Sequence, residues 1–321
     1  MTDQRILITG AASGLGLALA TRYARDGWRV LLTDLDQDAL DRAVAAIAPA
    51  GGAAAGRLAT RVLDVRSDED WAAARDWVGE AWGGLDVLVN NAGVATGGRF
   101  ERLPVEDWDW ILQINLMGVV RGCRTFVPLM RAQGSGHLVN IASAAGLLNP
   151  PVMASYNVVK AGVVSLSETL RHELEPAGIT TSVVCPTFFR TGLAGTFRTP
   201  DEAVRRTMEK LVTQSDVPAE VIAGRIQAGI AAGRFLILTD REGKVAWAVK
   251  RFVPPLFRRE ARRGAARLLA SIARTERETA STDADADAEA TAGREPAARV
   301  CDPPVARVVP GRRAQRHGAR S

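Results

Sequence analysis

The 321 residues, 47% hydrophobic and 24% charged, suffice for one large α/β domain or two small ones, and no apolar run approaches the length of a membrane span. The net charge of +5 equals the excess of residues 294–321, whose seven arginines face only Glu295 and Asp302, so the basic balance describes a tail and gives no sign of a nucleic-acid-binding face. Three cysteines (Cys123, Cys185, Cys301) and three histidines (His137, His172, His317) lack metal-ligand spacing, so no metal centre is expected and the thiols are read as reduced and unpaired.

MTDQRILITG enters a first strand at 5–9 with no secretory leader ahead of it, which sets the expectation of a cytoplasmic protein. The strand runs into TGAASGLG, where Gly10, Gly14 and Gly16 open a helix over 14–27. Glycines at this point let a backbone turn tightly and approach a pyrophosphate held on the helix N-terminus. A second strand, 29–33, is closed by Asp34, 18 residues beyond Gly16. A carboxylate there is placed to accept hydrogen bonds from an adenosine ribose, or else to cap the helix at 37–48, a task Asp36 could equally perform. A third strand is predicted at 61–65, with Asp64 at its end as a candidate for the adenine amino group.

Further strands follow at 86–90, 137–142, 180–185 and 234–238, separated by segments of helical period at 68–82, 105–132 and 155–176. Strands apolar on both faces and alternating with helices predict a doubly wound, Rossmann-like parallel sheet of seven strands with helices on both faces. In ASYNVVKAG, Tyr156 and Lys160 stand four residues apart, hence on one helix face. Alone, such a pair is as easily an ordinary amphipathic helix. The domain is expected over 1–242. A basic helical extension follows over 243–275, broken by Pro254-Pro255, and 276–321 is low in complexity and expected to be disordered.

Several of these motifs together resemble the short-chain dehydrogenase/reductase family over about residues 3–240: TGAASGLG, Asp64-Val65, NNAG at 90–93, Asn115 in INLMG, Ser143 in NIAS and YNVVK at 156–160. The glycine spacing and the Tyr-x-x-x-Lys spacing are those of its short dehydrogenase branch. The resemblance implies that Tyr156 is the general acid/base and that Ser143 holds the substrate oxygen. It implies that Lys160 lowers the tyrosine pKa and bonds the nicotinamide ribose, while Asn115 positions a water beside Lys160. Lowering a phenol from ~10 to ~7 takes about 4 kcal/mol, which one cation at ~4 Å supplies at an effective dielectric near 20. The cofactor set implied is Gly10, Ser13, Gly14, Leu15, Gly16, Asp34, Asp64, Val65, Asn91, Ala92, Gly93, Tyr156, Lys160, Pro186 and Thr191. Asn90 and Asn91 are expected to brace the sheet and the loop. The chain departs from the family after its sixth strand, where CPTFFRTGL keeps Pro186 but has Thr187 in place of glycine.

Asp34 favours NAD over NADP as cofactor. Ala145, Leu147, Leu148, Val152, Met153, Phe188 and Phe189, with a lid in 192–216, imply an apolar secondary alcohol or its ketone as substrate. The core substrate set is Ser143, Ala145, Met153, Tyr156 and Phe188. The family's pairing helices, here 105–132 and 155–176, imply a homodimer or homotetramer. Three other readings stand beside this one: an NADP-dependent carbonyl reductase, a dinucleotide-binding protein without chemistry, and a weak membrane-surface contact through the aromatic and basic residues of 244–274.

Overall fold

Strand β1 (Arg5–Thr9) pairs in parallel with β2 (Arg29–Asp34), from Arg5 opposite Arg29 to Thr9 opposite Thr33. The computed structural model describes residues 3–48, 55–187, 189, 197–213 and 217–292, with side chains at all of these except 55, 211–213 and 278–292. Helix α1 (Gly14–Arg25) crosses between these strands, and α2 (Gln37–Ile47), capped by the Asp36 carboxylate on the amides of Asp38 and Ala39, leads to β3 (Leu58–Val62). There follow α3 (Asp68–Trp82), β4 (Val87–Asn90), α4 (Val105–Leu112), a π turn at Gln113–Met117 and α5 (Gly118–Gln133). The second half holds β5 (Gly136–Ile141), the short α6 (Ala145–Leu148), α7 (Ala154–Leu174), β6 (Ile179–Cys185), α8 (Glu202–Thr213), α9 (Ala219–Ala231), β7 (Leu236–Leu238), α10 (Arg241–Phe252) and α11 (Pro254–Ala292). All strand pairs are parallel, in the order β3-β2-β1-β4-β5-β6-β7.

The period of two in the strands divides the core. Ile6, Ile8, Val30, Leu32 and Val89 point to one face and meet Leu19, Leu40, Ile222 and Ile226 of α1, α2 and α9. Leu7, Leu31, Leu88, Leu138 and Val183 point to the other and meet Trp71, Phe126 and Val163 of α3, α5 and α7. Each such side chain, fully withdrawn from water, contributes roughly 1.5–3 kcal/mol. A sheet with no polar face holds together only with both layers in place.

The third strand differs from the sequence reading, which has it at 61–65. The backbone amide of Asp64 donates to Asp70 Oδ2 at 2.8 Å, so the chain leaves the ladder to form the N-terminal turn of α3, which Ser67 caps. Asp64 and Val65 therefore lie beyond the strand. The predicted helix at 105–132 is α4 and α5 joined through the π turn, a local widening of the kind that re-aims a side chain.

The C-terminal segment also differs. One compact unit spans Met1–Arg277 and takes in 243–275, and α11 continues as helical backbone through 276 to Ala292. Residues 293–321, the rest of the expected disorder, lie outside the described residues. Within the first unit, Ile272 is fully buried in a cluster with Ile111, Met153, Tyr156, Val204 and Met208. Glu276 pairs with Arg99 at 2.6 Å and Arg102 at 3.3 Å, and both arginines also reach the buried carboxylate of Asp201. Of the stretch considered for a membrane surface, Phe257, Leu268 and Ile272 thus turn inward, while Phe252, Val253 and Leu256 stay exposed. Replacing Ile272 with Asp should undock this helix. Limited trypsinolysis at the arginines of 258–277 should then quicken on the order of tenfold or more, with the sheet core still protected.

Candidate active site

The carboxyl ends of β1 and β4 are clasped by Thr9 and Asn91. The Thr9 hydroxyl accepts from the amides of Asn91 and Ala92, each at 3.0 Å, and Asn91 Nδ2 donates to the carbonyls of Thr9 (2.8 Å) and Gly10 (3.1 Å). Gly10 turns there with φ +63°, and a Cβ on it would stand 2.9 Å from Ala92 Cα. A Cβ on Gly16 would meet the Gly10 carbonyl oxygen at 2.1 Å, so the loop folds onto α1 only with glycine at that position. Ser13 occupies the N-cap of α1 without a side-chain bond to its amides, and the first turn carries no acid. Ser13, Gly14 and Leu15 line the cavity described below, so a helix N-terminus without a capping side chain opens on it. This loop fits the pyrophosphate of a dinucleotide.

Asp34 does not cap α2. Its Oδ2 accepts from the Ala12 amide at 3.0 Å and its Oδ1 from Leu35 at 2.8 Å, which holds the carboxylate over the glycine loop. Asp64, by contrast, is taken. Arg66 bonds both its oxygens, with Nη2 to Oδ2 at 2.6 Å, and this partner is the main reason its pKa lies below the usual carboxylate range. Asp64 lines the same cavity with its carboxylate held in this ion pair. Val65 is buried, and its carbonyl accepts from the indole of Trp71. Gly93 packs on Asn115, 3.2 Å separating its would-be Cβ from Asn115 Oδ1.

Tyr156 and Lys160 project from α7 and are 8% and 4% exposed. Burial pushes the Tyr156 phenol up to about 12, with the hydrogen bond from Ser143 pulling the other way. Burial likewise pushes Lys160 down to about 8. Its ammonium donates to the Ile141 carbonyl at 2.9 Å and lies 5.7 Å from the centre of the tyrosine ring. The expectation that Lys160 sets a depressed tyrosine pKa is therefore corrected. Burial of the phenol outweighs the other influences on it in the free chain. Ser143 sits past the end of β5, its Oγ accepting from the Ala145 amide at 3.1 Å. Asn115 is fully buried in the π turn, its amide bonded to both the N–H and the C=O of Val94 at 2.8 Å. That amide braces the strand-end loop, so the water-positioning expected of Asn115 is not the work of its side chain. Asn90 reaches Asn140, which reaches Ser167, a buried polar chain that ties β4 to β5 and α7.

These groups share one cavity of about 1260 Å³. Gly10, Ser13 and Asp34 line one part, Ser143, Tyr156 and Lys160 the middle, and Ala145, Leu148, Met153, Phe197 and Met208 an apolar chamber. Pro186 lines it as well. Thr187, the departure from the family pattern, donates to Asp240 Oδ2 at 2.7 Å, and Asp240 caps α10 through the Gly243 amide. Phe188 and Thr191, with residues 192–196 and 214–216 of the expected lid, lie outside the described residues. The sequence reading missed Trp110 and the face of α11 formed by Phe257, Ala261 and Ala265, which also line the chamber. The signal was present, since apolar or small residues recur at 257, 261, 264, 265, 268 and 272, a helical stripe amid arginines.

Residues 4–202 match the family model described as short chain dehydrogenase. Among curated proteins, the chain is 31% identical over 269 residues to a probable oxidoreductase EphD of Mycobacterium tuberculosis, covering 81% of this chain but only 45% of that protein. It is also 31% identical over 258 residues to a CLA biosynthesis dehydrogenase/reductase of Lactiplantibacillus plantarum, covering 75% of this chain and 89% of that one. Among solved structures, a short chain dehydrogenase/reductase from Burkholderia phymatum in complex with NAD superposes with a TM-score of 0.73 at 35% identity, covering 79% of this chain and 95% of its own. With the family match running over most of the sheet and through the Ser143, Tyr156 and Lys160 motifs, the chain belongs to the short-chain dehydrogenase family.

Proposed function

We propose that the chain is an NAD(H)-dependent oxidoreductase that interconverts a secondary alcohol and its ketone on an apolar substrate. The observation that carries this reading is half-buried Ser143 with buried Tyr156 and Lys160 on one cavity that also takes in a glycine loop fitted to a dinucleotide and a run of apolar walls. A bound nicotinamide dinucleotide would take or give the hydride and, when oxidised, add positive charge beside the phenol.

The remaining work falls to the chain's own groups. The Ser143 hydroxyl holds the substrate oxygen, and the Tyr156 hydroxyl passes it a proton or receives one. With the phenol held up at about 12, the free enzyme carries a protonated tyrosine at neutral pH, ready to donate to a ketone oxygen. The ammonium of Lys160, fixed by the Ile141 carbonyl, stabilises the phenolate left behind and stands where a ribose hydroxyl of the cofactor would be bonded. The apolar walls at Met153, Phe197 and Met208 exclude water from the reacting oxygen.

NAD is favoured over NADP by Asp34. A 2′-phosphate brought within about 5 Å of this carboxylate costs on the order of 3 kcal/mol per unit charge at an effective dielectric near 20. Arg66, the cation lining the same part of the cavity, is engaged with Asp64. The NAD-bound state of the Burkholderia relative agrees with this choice. The two cysteines with described positions, Cys123 and Cys185, are buried free thiols, in keeping with a cytoplasmic setting. Half-buried Leu116, Val120, Val164 and Leu170 on the π turn, α5 and α7 support the reading of a homodimer or homotetramer.

Three measurements test these assignments. Tyr156→Phe should lower kcat by ~10² to 10⁴ while leaving NADH affinity, read by fluorescence titration, nearly unchanged; a variant with a tenth of normal turnover overturns the role. Asp34→Asn keeps an acceptor for the Ala12 amide but removes the charge. It should narrow the NAD-to-NADP ratio of kcat/KM by about tenfold or more, whereas an unchanged ratio would make Asp34 a loop anchor alone. Finally, alcohol oxidation should quicken from about pH 6 to about pH 8, because the proton must enter a phenol whose ionised fraction grows up to about tenfold per unit below its pKa. Ketone reduction, drawing on the protonated phenol, should stay level over that range.

A further inference from the structure

Two arginines of α11, Arg258 and Arg262, line the apolar chamber, and among the described residues neither has an ion-pair partner. Their neighbours differ. Arg259 and Arg263 turn away from the cavity and share Glu260, the only acid between residues 254 and 275. The acid of this stretch thus serves the outer arginines and leaves the cavity pair, four residues apart on one face, with like charges side by side. Other acids lining the cavity are engaged elsewhere: Asp34 with loop amides, Asp64 with Arg66, and Glu209 with Arg205. Glu242, in the first turn of α10, is the other carboxylate there, and no ion pair joins it to either arginine.

Both arginines are solvent-exposed as well as lining the cavity, so they stand at its mouth on α11. Phe257, one residue earlier, lies beside Lys250, whose ammonium bonds the Leu147 carbonyl of α6. Leu268 and Ile272, further on, pack with Met153, Tyr156 and Met208. The turns carrying Arg258 and Arg262 therefore lie between the α6 end of the cavity and the Met153–Met208 cluster. A substrate whose oxygen rests on Ser143 and Tyr156 extends its far end through apolar walls toward two guanidinium groups. Guanidinium is suited to bind carboxylate or phosphate oxygens through paired N–H donors.

We infer that Arg258 and Arg262 are specificity-determining residues that anchor an anionic head, carboxylate or phosphate, at the far end of an otherwise apolar hydroxy or oxo substrate. The inference rests on the oxidoreductase reading above and names its substrate class.

The test compares acids with their neutral esters on a flexible and a rigid frame: 12-hydroxyoctadecanoate against its methyl ester, and a hydroxysteroid with a side-chain carboxylate against its methyl ester. Dodecyl phosphate serves as a competitor to separate phosphate from carboxylate. On at least one frame the wild-type chain should favour the acid by about 10- to 100-fold in kcat/KM, and Arg258→Gln/Arg262→Gln should bring that ratio toward one. Stronger inhibition by dodecyl phosphate than by dodecanoate, lost in the double variant, would assign the head as phosphate. Equal use of acid and ester on both frames, an equal loss for both in the double variant, or a rise in KM for NAD alone would each overturn the anchor. Calorimetric binding of dodecanoate and dodecyl phosphate keeps the two readings separable. Arginine-dependent binding with no alcohol oxidised would sink the oxidoreductase reading and leave the anchor standing. Turnover of neutral alcohols with no such binding would do the reverse.

Discussion

Everything in the site hangs on the clasp between Thr9 and Asn91. A parallel sheet built outward from β1 through β2 to β3 must return to β1's other edge to place β4, and a crevice opens at the carboxyl ends where the direction reverses. Four hydrogen bonds from two side chains close the backbone across that crevice and hold the glycine loop against it. All four bonds are partly buried, so loss of the Thr9 hydroxyl would strip a partner from the Asn91 and Ala92 amides, and loss of the Asn91 side chain one from the Thr9 and Gly10 carbonyls, at about 1–3 kcal/mol each where water cannot replace it. The clasp also sets the distance between the loop and Gly93, which packs on Asn115. Asn115 in turn holds Val94 on the path toward the apolar chamber.

A second constraint is the placement of an ammonium and a phenol where neither is well solvated. Desolvation favours the neutral form of each, lowering the lysine pKa and raising that of the tyrosine. The pair is therefore biased toward a state with the phenolic proton in place. Ionising the tyrosine is favoured by any further positive charge that enters the cavity. The proton-transfer step is thereby coupled to what else occupies the cavity, a coupling that an exposed pair in high dielectric would lack.

The topology was legible in the sequence because each strand is apolar on both faces and each turn carries its own punctuation. The glycine loop, Asp34, Ser143, Tyr156 and Lys160 come together in one cavity for the same reason: motifs at the ends of parallel strands converge. What escaped the sequence depends on partners distant in the chain or on burial. The Asp64–Arg66 pair has no signature in the spacing, and β3 reads as 61–65 rather than 58–62 until Asp70 is seen to take the Asp64 amide. Asn115 reads as a water ligand until a π turn aims it at Val94. The sign of the Tyr156 shift depends on how dry the site is, which no spacing of residues encodes. The inward stripe of α11 was readable as a period but not as a contact, since arginines at 258, 259, 262 and 263 mask which face is apolar.

The cover of the apolar chamber comes from outside the region that defines the family. Residues 4–202 contain the sheet from β1 to β6, the clasp and the proton-transfer group, while Met208, Phe257, Ala261 and Arg262 come later in the chain. The reacting groups thus lie in one stretch, while the chamber is shared between that stretch and the residues that follow it. Recombination or point change in the later stretch can retune what is accepted while the strand register that aligns the reacting groups is inherited intact. A lineage carrying this arrangement can vary part of its substrate pocket at little risk to its catalyst, and the natural unit for grafting that part between relatives is the segment from α8 onward.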